Sequence, residues 1–220
     1  MSSAEKHDGF FNEELKVRIA EVLSGCENRI EVRAVLKEND NLSDKMLAFL
    51  NEFAQVTDKV DVRIIDMDEN EKLVAGFETK LYPVISIMDR NGRYSGISFN
   101  ALPVGHEFES FILAIYTMAG EGQHIDDELK NRISRLPAMN IMVGATMSCV
   151  LCPSVVQACQ RISSINPKVL SSLVDISYFP EIRKRHKIMS VPVVIVDDSD
   201  VYFGKKNLEE IVTLLESGIK

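Results

Sequence analysis

The chain alternates short apolar runs with amphipathic stretches, and the alternation is clearest in the second half. "MNIMVG" (139–144) is an apolar run bounded by proline and glycine, which predicts a buried strand. After it, Cys152, Val155, Val156, Cys159 and Ile162 recur at the spacing of one helix face, predicting an amphipathic helix whose stripe begins at a cysteine. "VLSSLVDIS" (169–177) reads as the next strand and "FPEIRKRHKI" (179–188) as a short helix. "VPVVIV" (191–196) is the uninterrupted β-branched run expected of a central strand covered on both faces. Asp197 and Asp198 offer a turn, "DVYFG" (200–204) a last strand, and "NLEEIVTLLES" (207–217) a closing helix opened by an asparagine cap. A leading helix over "LKNRISRL" (129–136) stops at Pro137.

The first half repeats this order. "EELKVRIAEVLS" (13–24) predicts a leading helix, "IEVRAVL" (30–36) a strand, "SDKMLAFLNEFAQV" (43–56) a helix, "VDVRIIDM" (60–67) an alternating strand and "ENEKLVAGF" (69–77) a short helix. "PVISIM" (83–88) and "RYSGISF" (93–99) predict a hairpin across residues 90–92, and "HEFESFILAIYTMA" (106–119) closes the unit. Two copies of one βαβαββα order, joined near "GEGQHID" (120–126), indicate an internal duplication with units at 1–123 and 124–220. The units share a fold but not a site, because nothing in the first matches the paired cysteines of the second.

Composition narrows the class. With 45% hydrophobic and 26% charged residues in 220, the chain is an ordinary globular protein, and disorder and coiled coil are poor readings. No apolar run approaches the roughly 18 residues of a membrane span. The polar start "MSSAEKHDGF" lacks a secretory apolar stretch, so a cytoplasmic protein with no membrane partner is expected. A net charge of −8 argues against nucleic acid as a partner. The acidity belongs to the first unit, with 13 basic and 22 acidic side chains against 12 and 11 in the second.

The chemistry centres on "MSCVLCPSVV" (147–156). Cys149 sits just before a predicted helix and Cys152 in its first turn, a spacing that brings two sulfurs within disulfide reach. Pro153 suits a helix start, where an amide hydrogen would be unsatisfied anyway. Free amides and the helix dipole there favour a thiolate, so Cys149, off the apolar stripe, reads as an exposed nucleophile with its pKa drawn below about 8.5. Cys152, turned inward, reads as the resolving thiol. Half of a zinc site and simple core packing stay as alternatives, although a zinc site wants four ligands and no second pair exists. Cys26 and Cys159 read as buried small hydrophobes. Pro192 opens a central strand two elements after the CxxC helix, the setting of a substrate loop in the thioredoxin fold.

At this point the chain resembles the thioredoxin superfamily, and more narrowly the N-terminal domain of the F component of alkyl hydroperoxide reductase, a tandem of two thioredoxin-like folds. The stretches that carry the resemblance are "GHEFESFILAI" from Gly105, "SCVLCPSVVQA" from Ser148, "INPKV" from Ile165, "VPVVIVD" from Val191 and "FGKKNLEEIV" from Phe203. The resemblance implies an α/β protein of two fused thioredoxin-like folds, each a mixed four-stranded sheet flanked by helices. It implies that Cys149 and Cys152 take electrons from a flavin-dependent disulfide reductase module, fed by FAD and NAD(P)H, and pass them to a peroxiredoxin disulfide. Although the residues alone read the Val191–Pro192 bond as trans, the resemblance implies that it is cis and lies against the cysteine pair as a substrate-binding element, and that Glu107 of "GHEF" lies near the redox centre and tunes it. Read without the resemblance, Glu107 is a carboxylate at a helix N-terminus, and His106 is structural.

The chain departs from that family in two ways. Val150 and Leu151 between the cysteines are apolar where the family usually carries polar residues including histidine. No GxGxxG stretch supplies a flavin or nicotinamide domain, so the expectation is a chain that binds no cofactor itself, either an excised domain or a free-standing relay. The basic cluster Arg183, Lys184, Arg185 and Lys187 reads as a solvated helix face, with docking of an acidic partner as the alternative. Alternative functions are a general glutaredoxin-like protein disulfide reductase and a non-catalytic tandem-fold binding scaffold.

Overall fold

The computed structural model describes residues 9–67 and 81–218, so the short helix expected over 69–77 lies outside the described residues. The first unit runs α1 (Glu13–Ser24), β1 (Ile30–Leu36), α2 (Asn41–Phe53), β2 (Val60–Asp66), β3 (Val84–Met88), β4 (Tyr94–Asn100) and α3 (Phe108–Ala119). The second runs α4 (Asp127–Arg135), β5 (Met139–Ala145), α5 (Cys152–Ile165), β6 (Val169–Asp175), α6 (Pro180–Arg185), β7 (Val193–Val196), β8 (Asp200–Phe203) and α7 (Leu208–Ser217).

Where boundaries differ from expectation, a local polar group decides. α2 begins at Asn41, two residues before the expected Ser43, because the Asp40 side chain accepts the Ser43 amide and caps the helix. The helix expected from His106 starts at Phe108, after a 3₁₀ turn over Gly105–Glu107. β7 starts at Val193, since Pro192 has no amide hydrogen to give to a ladder. Asn207 caps α7 as expected, in a reciprocal box with Glu210.

In each unit the first two strands are parallel and the third is antiparallel to the first and the fourth. Each unit contributes the expected mixed four-stranded sheet, and the two join edge to edge into one eight-stranded sheet, ordered β2-β1-β3-β4-β6-β5-β7-β8. β4 pairs parallel with β6, Ile97 opposite Ser171 through Asn100 opposite Val174. Joining them removes one open edge from each unit, and an open edge invites unwanted pairing. The result shows in burial. β4 is buried from Ser95 to Asn100, whereas its counterpart β8 lies at the sheet edge and stays partly exposed. The seam also needs Gly96, whose φ is +86° and whose absent Cβ would stand 3.0 Å from the Val169 carbonyl oxygen.

α3 and α5 pack on each other across this seam, and α5 also lies on β4. The helix that carries Cys152 is thereby supported by the first unit as well as its own. One continuous apolar core runs through both units. Its first-unit part is aromatic: Phe111 stands 5.5, 5.2 and 5.5 Å from Phe49, Phe53 and Phe99, ring centre to ring centre. The second-unit part is mostly aliphatic, with Val143, Val155, Val156, Ile162, Val194, Ile211 and Val212 buried. Among the described residues no helix is long and apolar enough to cross a membrane.

Candidate functional site

The site is made where β5 ends and β7 begins. Gly144 pairs with Val193 in antiparallel register, so the chain leaving β5 and the chain entering β7 run side by side at one end of the sheet. Cys149 and Cys152 lie in the first of these segments, and Val191 and Pro192 in the second.

Cys149 and Cys152 are joined by a disulfide with their Cα atoms 5.5 Å apart. Cys152 heads the apolar stripe of α5 and is fully buried beside Val155, Val156, Cys159 and Ile162. Cys149 is half-buried and packed on the core rather than open to solvent. The exposed part of the loop is Val150 and Leu151 between the two cysteines.

The start of α5 is electrostatically open. Its N-cap is Leu151, no side chain accepts its first amides, and no acidic residue lies in its first turn. The Ser154 hydroxyl donates to the Leu151 carbonyl, so it leaves those amides free. Unpaired amides and the positive end of the helix dipole therefore stand where the sulfurs are, an arrangement that favours a thiolate once the disulfide is reduced.

The Val191–Pro192 bond is cis. Pro192 is buried, and its carbonyl accepts the Gly204 amide at 2.9 Å, tying the loop to the end of β8.

Glu107 approaches the same region from the first unit. The turn that carries it packs against α5. Gly105, at φ +60°, lets the turn press on the approach to the cysteines, for a Cβ there would stand 2.8 Å from the Met147 carbonyl oxygen. Glu107 occupies the N-cap position of α3 but makes no cap hydrogen bond. It is fully buried, Oε2 accepts the Ser110 hydroxyl at 2.8 Å, and Oε1 has no partner among the described residues. Burial pushes its carboxyl up to about 7, against the opposing pull of the Ser110 hydrogen bond. His106 beside it is exposed.

A second cis bond, Tyr82–Pro83, went unread in the sequence. The available signal was "PVISIM", a proline opening the third strand of its unit as Pro192 does in "VPVVIV". Asn100 Nδ2 holds this loop, donating to the Leu81 carbonyl at 2.7 Å and the Pro83 carbonyl at 3.0 Å.

The remaining candidates lie apart from the redox centre or carry no reactivity. Cys159 is fully buried and its thiol is pushed up to about 12 by that burial; Cys26 is also raised by burial, against the opposing charge of Lys59. In the basic cluster, Arg185 is paired with Asp198 at 3.3 Å and Arg183 Nε donates to the Ile188 carbonyl. Lys184 and Lys187 make no ion pair among the described residues. Among the described residues no group of three or more His, Cys, Asp or Glu side chains is arranged to hold a metal ion.

A tandem of thioredoxin-like folds on one sheet, with a single CxxC disulfide at an uncapped helix start and a cis-proline at the same end of the sheet, defines a thioredoxin-fold disulfide oxidoreductase-like protein. Residues 139–216 match the family model of the thioredoxin domain. Two structures of the F component of alkyl hydroperoxide reductase (AhpF) from Enterococcus faecalis, one of them its NTD_N/C domain, superpose with TM-scores of 0.87 and 0.86 at 36% identity. They cover 94% and 93% of this chain and 99% of each matched chain. The corresponding alkyl hydroperoxide reductase component of Staphylococcus epidermidis is 30% identical over 207 residues, and the NADH dehydrogenase of Bacillus subtilis 27% over 206. The chain belongs to the family of AhpF N-terminal domains. It spans 38% of the length of the two full relatives, while they cover 94% and 93% of it.

Proposed function

We propose that this chain is a cytoplasmic dithiol–disulfide relay that accepts electrons from a flavin-dependent disulfide reductase fed by NAD(P)H and passes them to a peroxiredoxin disulfide. The observation that carries the proposal is the Cys149–Cys152 disulfide at the uncapped start of α5. Reduction by the donor's dithiol gives two thiols here and a disulfide there. Cys149 then attacks one sulfur of the acceptor's disulfide as a thiolate, forming a mixed disulfide and releasing the other acceptor sulfur as a thiolate. Cys152 attacks Cys149 in turn and expels the second acceptor thiolate. Two electrons have moved, the acceptor is a dithiol, and the chain is again a disulfide.

Val191 and Pro192 form the wall along which the acceptor's sulfur approaches. Glu107 acts as a positioning residue: protonated below about pH 7 it leaves the thiolate undisturbed, and ionised above it disfavours a second negative charge nearby.

The test is trapping combined with turnover. With a flavin reductase module and a peroxiredoxin, NADH consumption should depend on both cysteines and fall at least about 10³-fold in Cys149→Ser, since only the thiolate attacks. Cys152→Ser should hold the peroxiredoxin as a stable mixed disulfide and Cys149→Ser should not. Equal trapping by both variants overturns the assignment of nucleophile, and reduction of insulin in preference to the peroxiredoxin overturns the assignment of acceptor.

A further inference from the structure

The end of the sheet that holds the disulfide also carries an apolar rim. β4, β5 and β6 run parallel, and β8 runs with them because it is antiparallel to β7, itself antiparallel to β5. The segments that leave these strands therefore emerge at one end. Large exposed apolar side chains gather there: Val150 at 72% and Leu151 between the cysteines, Tyr178 just beyond β6, Met189 at 86% in the approach to Pro192, and Phe203 at the end of β8. Ordinary monomers scatter such residues singly, and a gathered set marks a surface made to be covered.

Lysines on the second unit's side of this rim lack carboxylate partners among the described residues. Lys187, two residues from Met189 and so within about 7 Å along the chain, has no ion pair among the described residues. Lys205 follows Gly204, whose amide binds the Pro192 carbonyl, and it too is unpaired among them. Lys206 donates to the Phe203 carbonyl. Three carboxylates of this end are otherwise engaged. Asp175 is buried and accepts the Ser177 amide, Glu107 is buried, and Asp40 caps α2 in the first unit. Glu209, three residues after Lys206, pairs with Arg132 at 3.7 Å, Glu210 closes the cap of α7, and Glu181 is exposed on α6.

We infer that the segment captured at Cys149 is an extended stretch of the acceptor with apolar residues next to its disulfide and acidic residues further along, laid so that its acidic part crosses Lys187 and Lys205. The inference rests on the relay reading and adds to it what the acceptor must look like. Apolar residues of the acceptor meet Val150, Leu151 and Met189, and its carboxylates meet lysines that have no ion pair among the described residues. Complementary charge of this kind acts mainly on the rate of encounter and is screened by salt.

The experiment uses the dithiothreitol-reduced chain, freed of reductant, and three synthetic cystine peptides of equal length. One has apolar neighbours and acidic flanks, one apolar neighbours and basic flanks, and one is polar and uncharged. Neutral bis(2-hydroxyethyl) disulfide serves as a probe too small to reach the rim. The acidic apolar peptide should react about 10-fold faster than the others at low salt and lose most of that margin at high salt. The Lys187→Glu/Lys205→Glu pair should reverse the preference between acidic and basic flanks, and Met189→Ser should slow both apolar peptides. Neither variant should change the rate with the small disulfide. Equal rates for all three peptides, with the small disulfide reduced normally, overturn this inference alone. Failure to reduce the small disulfide overturns the relay reading and this inference with it.

Discussion

The two units place a helix after their first strand and a cis-proline before their third, yet only one has a redox centre. The difference lies in what closes the helix. In the first unit Asp40 caps α2, its carboxylate accepting both the amide and the hydroxyl of Ser43 at 2.8 Å. In the second unit α5 has no cap, and the disulfide occupies the place a cap would take. The fold thus supplies the same positive helix end twice. One copy uses it for stability, and the other leaves it free to stabilise a thiolate.

The cores differ as well, and breaking the aromatic one has the largest expected effect on stability. Phe111→Ala removes a fully buried ring in contact with three others, at a cost of about 3–5 kcal/mol. Because β4 pairs with β6 and α3 packs on α5, the loss should spread to the second unit. Each unit contains a buried free thiol, Cys26 in the first and Cys159 in the second, so labelling both during urea unfolding follows the units separately. The two should become reactive at the same urea concentration, shifted down together in the variant. Early exposure of Cys26 with Cys159 still protected would mean that the shared sheet does not couple the units.

Glu107 sharpens the comparison from the contact between the units. Its carboxyl is raised to about 7 in the folded chain, above the unfolded value near 4.3, so between these values the folded state holds a proton that the unfolded state has released. Stability should therefore fall as pH rises from about 4.3 to 7 and level off above, with a total loss of up to about 4 kcal/mol. Glu107→Gln keeps the size and can still engage Ser110 but cannot ionise. Its urea midpoint should be flatter over that window and higher than that of the parent at pH 8. The peptide-reduction rate should lose its inflection near pH 7 in the same variant, which a purely structural role would leave in place.

Much of this organisation was legible in the sequence. Apart from the helix expected over 69–77, which lies outside the described residues, the duplicated βαβαββα order followed from hydrophobic period and turn residues, and the CxxC helix from a stripe that began at Cys152. The joining of β4 to β6 was not legible, because sheet edges pair through backbone groups that no side-chain pattern announces; only Gly96 in "RYSGISF" hinted at a close backbone approach. The half-burial of Cys149 was missed for a similar reason, since it depends on how the 146–151 loop folds over the core. Helix spacing does not set that. Its motif singled out Glu107, but its burial and its orphaned oxygen are tertiary facts.

The smallest effects test the cap comparison itself, by exchanging the two helix starts. Leu151→Asp gives α5 the carboxylate that α2 has. It should occupy the free amides and set a negative charge beside Cys149, slowing attack on bis(2-hydroxyethyl) disulfide at pH 7 by about 10-fold. Asp40→Ala does the reverse in the first unit and should cost about 1 kcal/mol of stability in urea unfolding, the usual loss for a missing cap, with the disulfide-reduction rate unchanged. The pair is informative because the two outcomes must separate. If the fold supplies equivalent positive helix ends and the cap alone decides their use, a cap at α5 costs reactivity and the loss of one at α2 costs only stability. A Leu151→Asp protein that reduces disulfides as fast as its parent would show that the thiolate of Cys149 owes nothing to the open end of α5, and that the absence of a cap there is incidental to the chemistry.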